Sequence, residues 1–182
     1  HDLPARQPTL RSAIQWSCDL LDADEKRTFR SLSVFVGGCT LNAALTMIEP
    51  PTSLDILDSL VNKSLLRQIE SDGEPRLTML ETIREFGLDE LTRTQELETA
   101  RHAHANYCLS FVEEAESHLT GADQKAWIKR LEREQDNLRA ALRWAMENHE
   151  AEFAQRMAGA LQPFWLPRGY WSEGRRWLEG SL

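Results

Sequence analysis

The stretch RLTMLETIREFG, Arg76 to Gly87, begins in one periodicity and ends in another. From Arg76 to Leu80 the side chains alternate as in a strand, and from Glu81 the spacing turns helical. No Gly or Pro separates the two. Just upstream, SLLRQI, Ser64 to Ile69, has strand character. Between the runs lies ESDGEP, whose Asp72-Gly73 pair suits a hairpin turn. The pattern predicts a two-stranded wing that enters the helix ETIREFGLDEL directly.

Towards the N-terminus the pattern is helical. Thr9 is placed to cap a helix with Leu10, Ala13, Ile14, Trp16, Ser17, Leu20 and Leu21 as its apolar positions. Asp22 with Glu25 three residues on has capping-box spacing. It starts EKRTFRSLSVF, with Phe29, Leu32, Ser33 and Val36 on one face. GGCT then breaks the chain, and Thr40 can cap LNAALTMI. After EPPTS, Thr52 with Asp55 starts a helix that turns Leu54, Leu57, Leu60 and Val61 inward. Helices, a wing and a closing helix form the order of a winged helix-turn-helix domain, placed at residues 1–95.

The second half, 96–182, shows no strand signal. Amphipathic segments run over about Leu97–Leu119, Gln124–Asn148 and Ala151–Leu166, with another from Trp171. Asp123 is positioned as an N-cap. Trp127, Leu131, Leu138, Ala141, Leu142 and Ala145 form one stripe. In ALQPFWLPRGYWSEGRRWLEGSL, Leu161, Trp165, Gly169, Gly174, Leu178, Ser181 and Leu182 fall at tetratricopeptide-like spacing, with Gln162 where a small residue is usual. The expected fold is mainly α: a winged helix followed by an antiparallel, tetratricopeptide-like helical array.

The totals narrow the function classes. The chain has 182 residues, 41% of them hydrophobic and 27% charged, as in an ordinary globular protein. No apolar run approaches the length of about 20 residues that spans a bilayer. The opening HDLPARQPTL has no signal-peptide core and no initiator Met, so a cytoplasmic piece of a longer protein is expected. Cys18, Cys39 and Cys108 are odd in number and far apart, which reads as buried thiols rather than a disulfide framework. Net charge is −8. Residues 1–95 carry 10 Lys and Arg against 15 Asp and Glu, and the remainder 11 against 14. Neither half has the basic excess of an ordinary DNA-binding domain.

Several stretches together resemble one family. DLPARQPTLRSAIQWSCDLLDADEKRTFRSLSVFVGGCTLNAA, LVNKSLL and RLTMLETIREFGLDEL resemble the region after the nucleotide-binding core of bacterial STAND ATPases, the AfsR-like and LuxR-type regulators with an NB-ARC module. WIKRLEREQDNLRAALRWAMEN and RGYWSEGRRWLEGSL resemble the helical repeats that follow there. The resemblance implies a winged-helix subdomain that packs on an upstream ATPase core and helps hold ADP. It also implies repeats that sense a protein or small-molecule effector, and an output domain elsewhere. ATP or ADP is implied for such a parent protein, whereas no cofactor is expected here. This chain has no G-x-x-x-x-G-K-[ST], the loop that cradles phosphates, so no enzymatic activity is expected of it.

Met79, Leu80 and Glu81 align with the Met-His-Asp motif of eukaryotic relatives. Leu80 stands at the nucleotide-sensing His position and can neither donate a hydrogen bond nor titrate. Met79, Leu80, Ile83 and Phe86 read as core, while Glu81, Thr82 and Arg84 are candidates for an interdomain switch. His102 and His104 are two apart and point to different sides of a helix, so they do not read as a metal pair. Neither His provides Cys108 with a complete nucleophilic site. The helix from Thr52 to Lys63 takes the recognition-helix position. Its open face offers Asp55, Asp58, Asn62 and Lys63, and two carboxylates argue against DNA; direct DNA binding is the alternative. KRLEREQDNLR reads as a solvated face, with Asp136 and Asn137 unusual inside a helix. Trp165, Tyr170, Trp171 and Trp177 read as solenoid core, or as a partner groove if exposed.

Overall fold

A computed structural model describes residues 6–48, 53–71 and 73–165. The chain divides into two compact units, 1–100 and 101–182.

The first unit opens with α1 (Arg6–Asp19) and α2 (Ala23–Leu32). Asp22 accepts from the backbone N–H groups of Asp24 and Glu25, and Glu25 accepts from the Asp22 N–H, so the capping box forms as read. β1 (Cys39–Thr40) leads into α3 (Leu41–Thr46), where the Thr40 hydroxyl accepts from the Ala43 N–H at 3.1 Å. Then follow α4 (Ser53–Asn62), β2 (Arg67–Ser71), β3 (Glu74–Thr78) and α5 (Glu81–Arg93). The sheet is antiparallel, in the order β1-β3-β2. Ser71 pairs with Glu74 across the turn, and Gly73 has φ +81°, a conformation that glycine adopts at little cost.

Several boundaries differ from the sequence reading. α1 already includes Thr9, which therefore is not its cap. It buries Ile14 and Cys18, with Leu21 just beyond, but leaves Leu10, Trp16 and Leu20 exposed. α2 ends at Leu32, so Val36 falls outside the helix and is half-buried. Thr52 lies outside the described residues. Strand β2 starts at Arg67, because Ser64 takes a left-handed turn (φ 59°) and Leu65 and Leu66 drop into the core. Glu74 and Pro75 join β3 rather than the turn. The two-residue β1 makes the wing sheet three-stranded, a contribution too short to show periodicity.

Phe29, Leu32, Leu60, Phe86 and Leu91 fill the core where α2 meets α4 and α5. Each such side chain stabilises the fold by about 1.5–3 kcal/mol through burial. Gly87 lies so close to Ser33, the residue that closes α2, that a Cβ there would overlap the Ser33 hydroxyl. Arg11 holds α1 to α5: it pairs with Asp89 at 2.9 Å and lies over the Phe86 ring.

The second unit contains most of α6 (Leu97–His118), with α7 (Gln124–Glu147) and α8 (Ala151–Trp165). All six residues of the expected α7 stripe are buried. Asp123 makes no side-chain cap bond, since its backbone (φ −88°, ψ 0°) is not the extended form a cap requires. No strand occurs in this unit among the described residues. Leu161 and Trp165 are buried on α8. Gly169, Gly174, Leu178, Ser181 and Leu182, on which the repeat reading depends, lie outside the described residues. So do Tyr170, Trp171 and Trp177.

Candidate functional site

The wing–helix junction is built from Thr78 to Arg84. Thr78 ends β3, and Leu80 takes the N-cap place of α5 in extended conformation (φ −62°, ψ 141°), with no side-chain bond to the helix. A strand can therefore enter α5 without Gly or Pro, because the cap residue keeps strand-like dihedrals. Leu80 is 44% exposed, so it is not the core residue the sequence suggested. Ile83 and Phe86 are buried as expected, and Met79 is half-buried against the Ser33 hydroxyl. The hydrophobic spacing is satisfied from Ile83 onward, which leaves the cap position outside.

Glu81, Thr82 and Arg84 lie on the first turn of α5. Glu81 and Thr82 are exposed and Arg84 is half-buried. Arg84 donates to both oxygens of Glu81, at 2.7 and 3.0 Å, and to the backbone carbonyl of Ser33 at 3.3 Å. The hydrogen bonds from Arg84 hold the Glu81 carboxyl below its ordinary range, against a smaller opposing effect of burial. Arg84 thus joins α5 to the end of α2, which gives the junction a definite geometry.

The second candidate surface is α4. Leu57 and Leu60 point inward, but Leu54 is 56% exposed, against expectation. Ile56, at 8% exposure, supplies the third inward side chain instead. Asp55, Asp58 and Asn62 are exposed. Lys63 does not belong to that open face: its ammonium donates to both oxygens of Glu25, at 2.6 and 2.7 Å. Ser59 donates to the same carboxylate. Burial pushes the Glu25 pKa up, but the bonds from Lys63, Ser59 and the Asp22 backbone outweigh it and lower the pKa. Arg76 is also engaged: buried in β3, it donates to the carbonyls of Gly37 and Gly38. Arg30 pairs with Glu96 and Arg93 with Glu90. Much of the unit's positive charge is therefore tied up in contacts within the fold.

In the second unit a polar cluster is buried between α6 and α7. His104 Nε2 lies 3.3 Å from Asn137 Oδ1, and Asn137 Nδ2 donates to Glu134 at 2.6 Å. The Asn137 amide is thus oriented with its oxygen towards His104, so Nε2 carries the proton. Burial lowers the His104 pKa to about 4, partly opposed by Asn137 and the Glu134 charge. Cys108 lies 3.6 Å from His104, and burial raises its thiol pKa well above the usual value. A thiol held protonated is a poor nucleophile. His102 is exposed, so the two histidines do face different ways. Within KRLEREQDNLR, read as a solvated face, Glu134 and Asn137 are buried, and Asn137, picked out there as unusual inside a helix, bonds to His104 of α6. Asp136 is exposed and pairs with Arg139. Cys18, Cys39 and Cys108 are all buried, and none is in a disulfide. Among the described residues no group of three or more His, Cys, Asp or Glu is placed to hold a metal. No helix among them is long and apolar enough to cross a membrane.

Residues 21–92 match the family described as winged helix-turn-helix domain. The chain is 37% identical to a Mycobacterium bovis protein named as an HTH-type transcriptional regulator, over 97% of this chain and 20% of that protein. Two Mycobacterium tuberculosis proteins of the same description show the same identity and coverage. The chain thus carries a winged helix-turn-helix domain and is homologous to proteins named as HTH-type regulators. It spans about one fifth of the length of the curated relatives it matches. No solved structure gives a significant match.

Proposed function

We propose that this chain is a non-catalytic regulatory segment of a transcriptional regulator. The carrying observation is its 37% identity, across nearly its whole length, to proteins named as HTH-type transcriptional regulators. In this reading the segment works within a longer protein. Taken alone, the comparisons favour duplex DNA as the ligand of the winged helix, ahead of a place in a signalling ATPase.

One feature of this chain favours a protein contact instead. The open face of α4 carries Asp55 and Asp58, and Lys63 is bound to Glu25. Carboxylates repel phosphates, and a Lys already paired inside the fold releases no counterion from DNA. We therefore assign the winged helix to a protein contact and keep DNA as the second reading. The finer proposal is a cytoplasmic signalling ATPase. The winged helix would pack on an ATP- or ADP-holding core, with Glu81, Thr82 and Arg84 at the interface. Tetratricopeptide-like repeats would sense an effector. Such a switch requires two states that differ in contacts at one interface. ADP retention by the full-length parent protein tests this. Glu81→Lys should weaken retention, and unchanged retention and output would remove the interface role.

A further inference from the structure

α4 presents two faces. Ile56, Leu57 and Leu60 are buried, at 8%, 3% and 0% exposure. On the other side, Leu54, Asp58 and Val61 follow one another at helical spacing, with Asp55 and Asn62 alongside. Leu54 is the most open of these apolar groups, Val61 is half-buried, and both aspartates are exposed. The helix contains no Lys or Arg. Lys63, just beyond its end, is held on Glu25 together with Ser59, so it does not offset the two carboxylates. The face therefore combines an exposed Leu54 and a half-buried Val61 with two exposed carboxylates that neither α4 itself nor Lys63 offsets.

Resting on the protein-contact reading above, we propose that this face docks a basic amphipathic protein segment. Lys or Arg side chains of the partner would meet Asp55 and Asp58, and an apolar side chain would cover Leu54 and Val61. Charge complementarity selects this occupant. Duplex phosphates meet repulsion at both aspartates. A second α4 brings like charge to like charge. A purely apolar partner would strip water from two carboxylates and give nothing back. A basic segment supplies the opposite charge and the apolar contact together. The apolar contact provides affinity, and the charge pair sets orientation and association rate.

The test uses the whole chain and a labelled synthetic helix with Leu along one edge and Arg and Lys beside it. A matched peptide with Glu in place of the cations serves as control. Fluorescence anisotropy should show saturable binding of the basic peptide only. Asp55→Lys/Asp58→Lys should weaken it by about tenfold or more, and Leu54→Ser by a smaller factor. Glu114→Lys/Glu147→Lys, which changes net charge equally on exposed sites elsewhere, should leave it unchanged. Circular dichroism confirms that each variant is folded. Equal loss in both double variants, or no binding of the basic peptide, overturns the docking site. A duplex probe separates the two levels. Steeply salt-dependent duplex binding overturns the protein-contact reading itself, whereas peptide failure without duplex binding overturns only this use of α4.

Discussion

Lys63 closes on Glu25, with Nζ 2.6 Å from one carboxylate oxygen and 2.7 Å from the other. The same carboxylate completes the capping box of α2 and accepts from Ser59 of α4. One side chain therefore caps α2 and ties it to α4, and it holds Lys63 away from the open face of α4.

Glu25→Ala should lower the unfolding free energy by about 2 kcal/mol, discounted from a fully buried pair because Lys63 is partly exposed. Lys63→Met should cost less, since Ser59 and the Asp22 N–H still satisfy Glu25. The folded pKa of Glu25 lies below its ordinary value of 4.5. Its contribution is thus present above pH 4.5 and is lost as pH falls through the folded value. Chemical denaturation of both variants at neutral and acid pH checks this; an undiminished wild-type advantage well below pH 4 would contradict it.

His104 gives the second unit its own acid sensitivity. Its pKa is about 4 in the fold against an ordinary 6.5. Below 6.5 the unfolded chain takes up a proton that the fold refuses, so stability falls progressively between those values. The loss from pH 7 to pH 5 should be about 2 kcal/mol for this one group. His104→Leu should be less stable at pH 7, with the Asn137 side-chain oxygen losing its bond to His104, but flatter across that interval. Urea midpoints followed at each pH measure it, and an equally steep His104→Leu profile would rule His104 out as the source.

Gly87→Ala should destabilise the winged helix by about 1–3 kcal/mol, because the added methyl overlaps Ser33. Gly87→Ala/Ser33→Ala should recover part of the loss. Thermal unfolding of the two variants reads this, and a neutral Gly87→Ala would show that α2 and α5 are not so closely packed.

Leu80→Ser should stabilise the fold by about 1 kcal/mol. The position has N-cap dihedrals and no capping side chain, and Leu80 is 44% exposed. A drop in melting temperature would mean that Leu80 packs against something after all.

Two caps are legible in the sequence because a cap is a local event, whereas Thr9 and Asp123, read the same way, do not cap. Asp22 with Glu25, and Thr40 with Ala43, need only a few neighbouring residues. The stripe on α7 is equally clear, since six apolar positions recur at helical spacing. Leu54 and Leu80 mislead for the opposite reason. Periodicity records that a residue is apolar and on a given side, but only the neighbouring elements decide whether anything covers it. Asn137 stands out as a polar residue inside a helix, yet its partner His104 lies 33 positions away and no local pattern connects them. The acidic side of α4 is visible in the sequence, whereas the removal of Lys63 to Glu25 depends on how α2 and α4 meet.

Titration of duplex DNA into the whole chain at increasing salt decides between protein and DNA as the ligand of the winged helix. The protein-contact account predicts no saturable binding below about 100 µM near physiological ionic strength, and new salt-dependent binding in Asp55→Lys/Asp58→Lys. Micromolar binding by the unaltered chain, falling steeply with salt, would contradict it and establish the winged helix as a DNA-binding module.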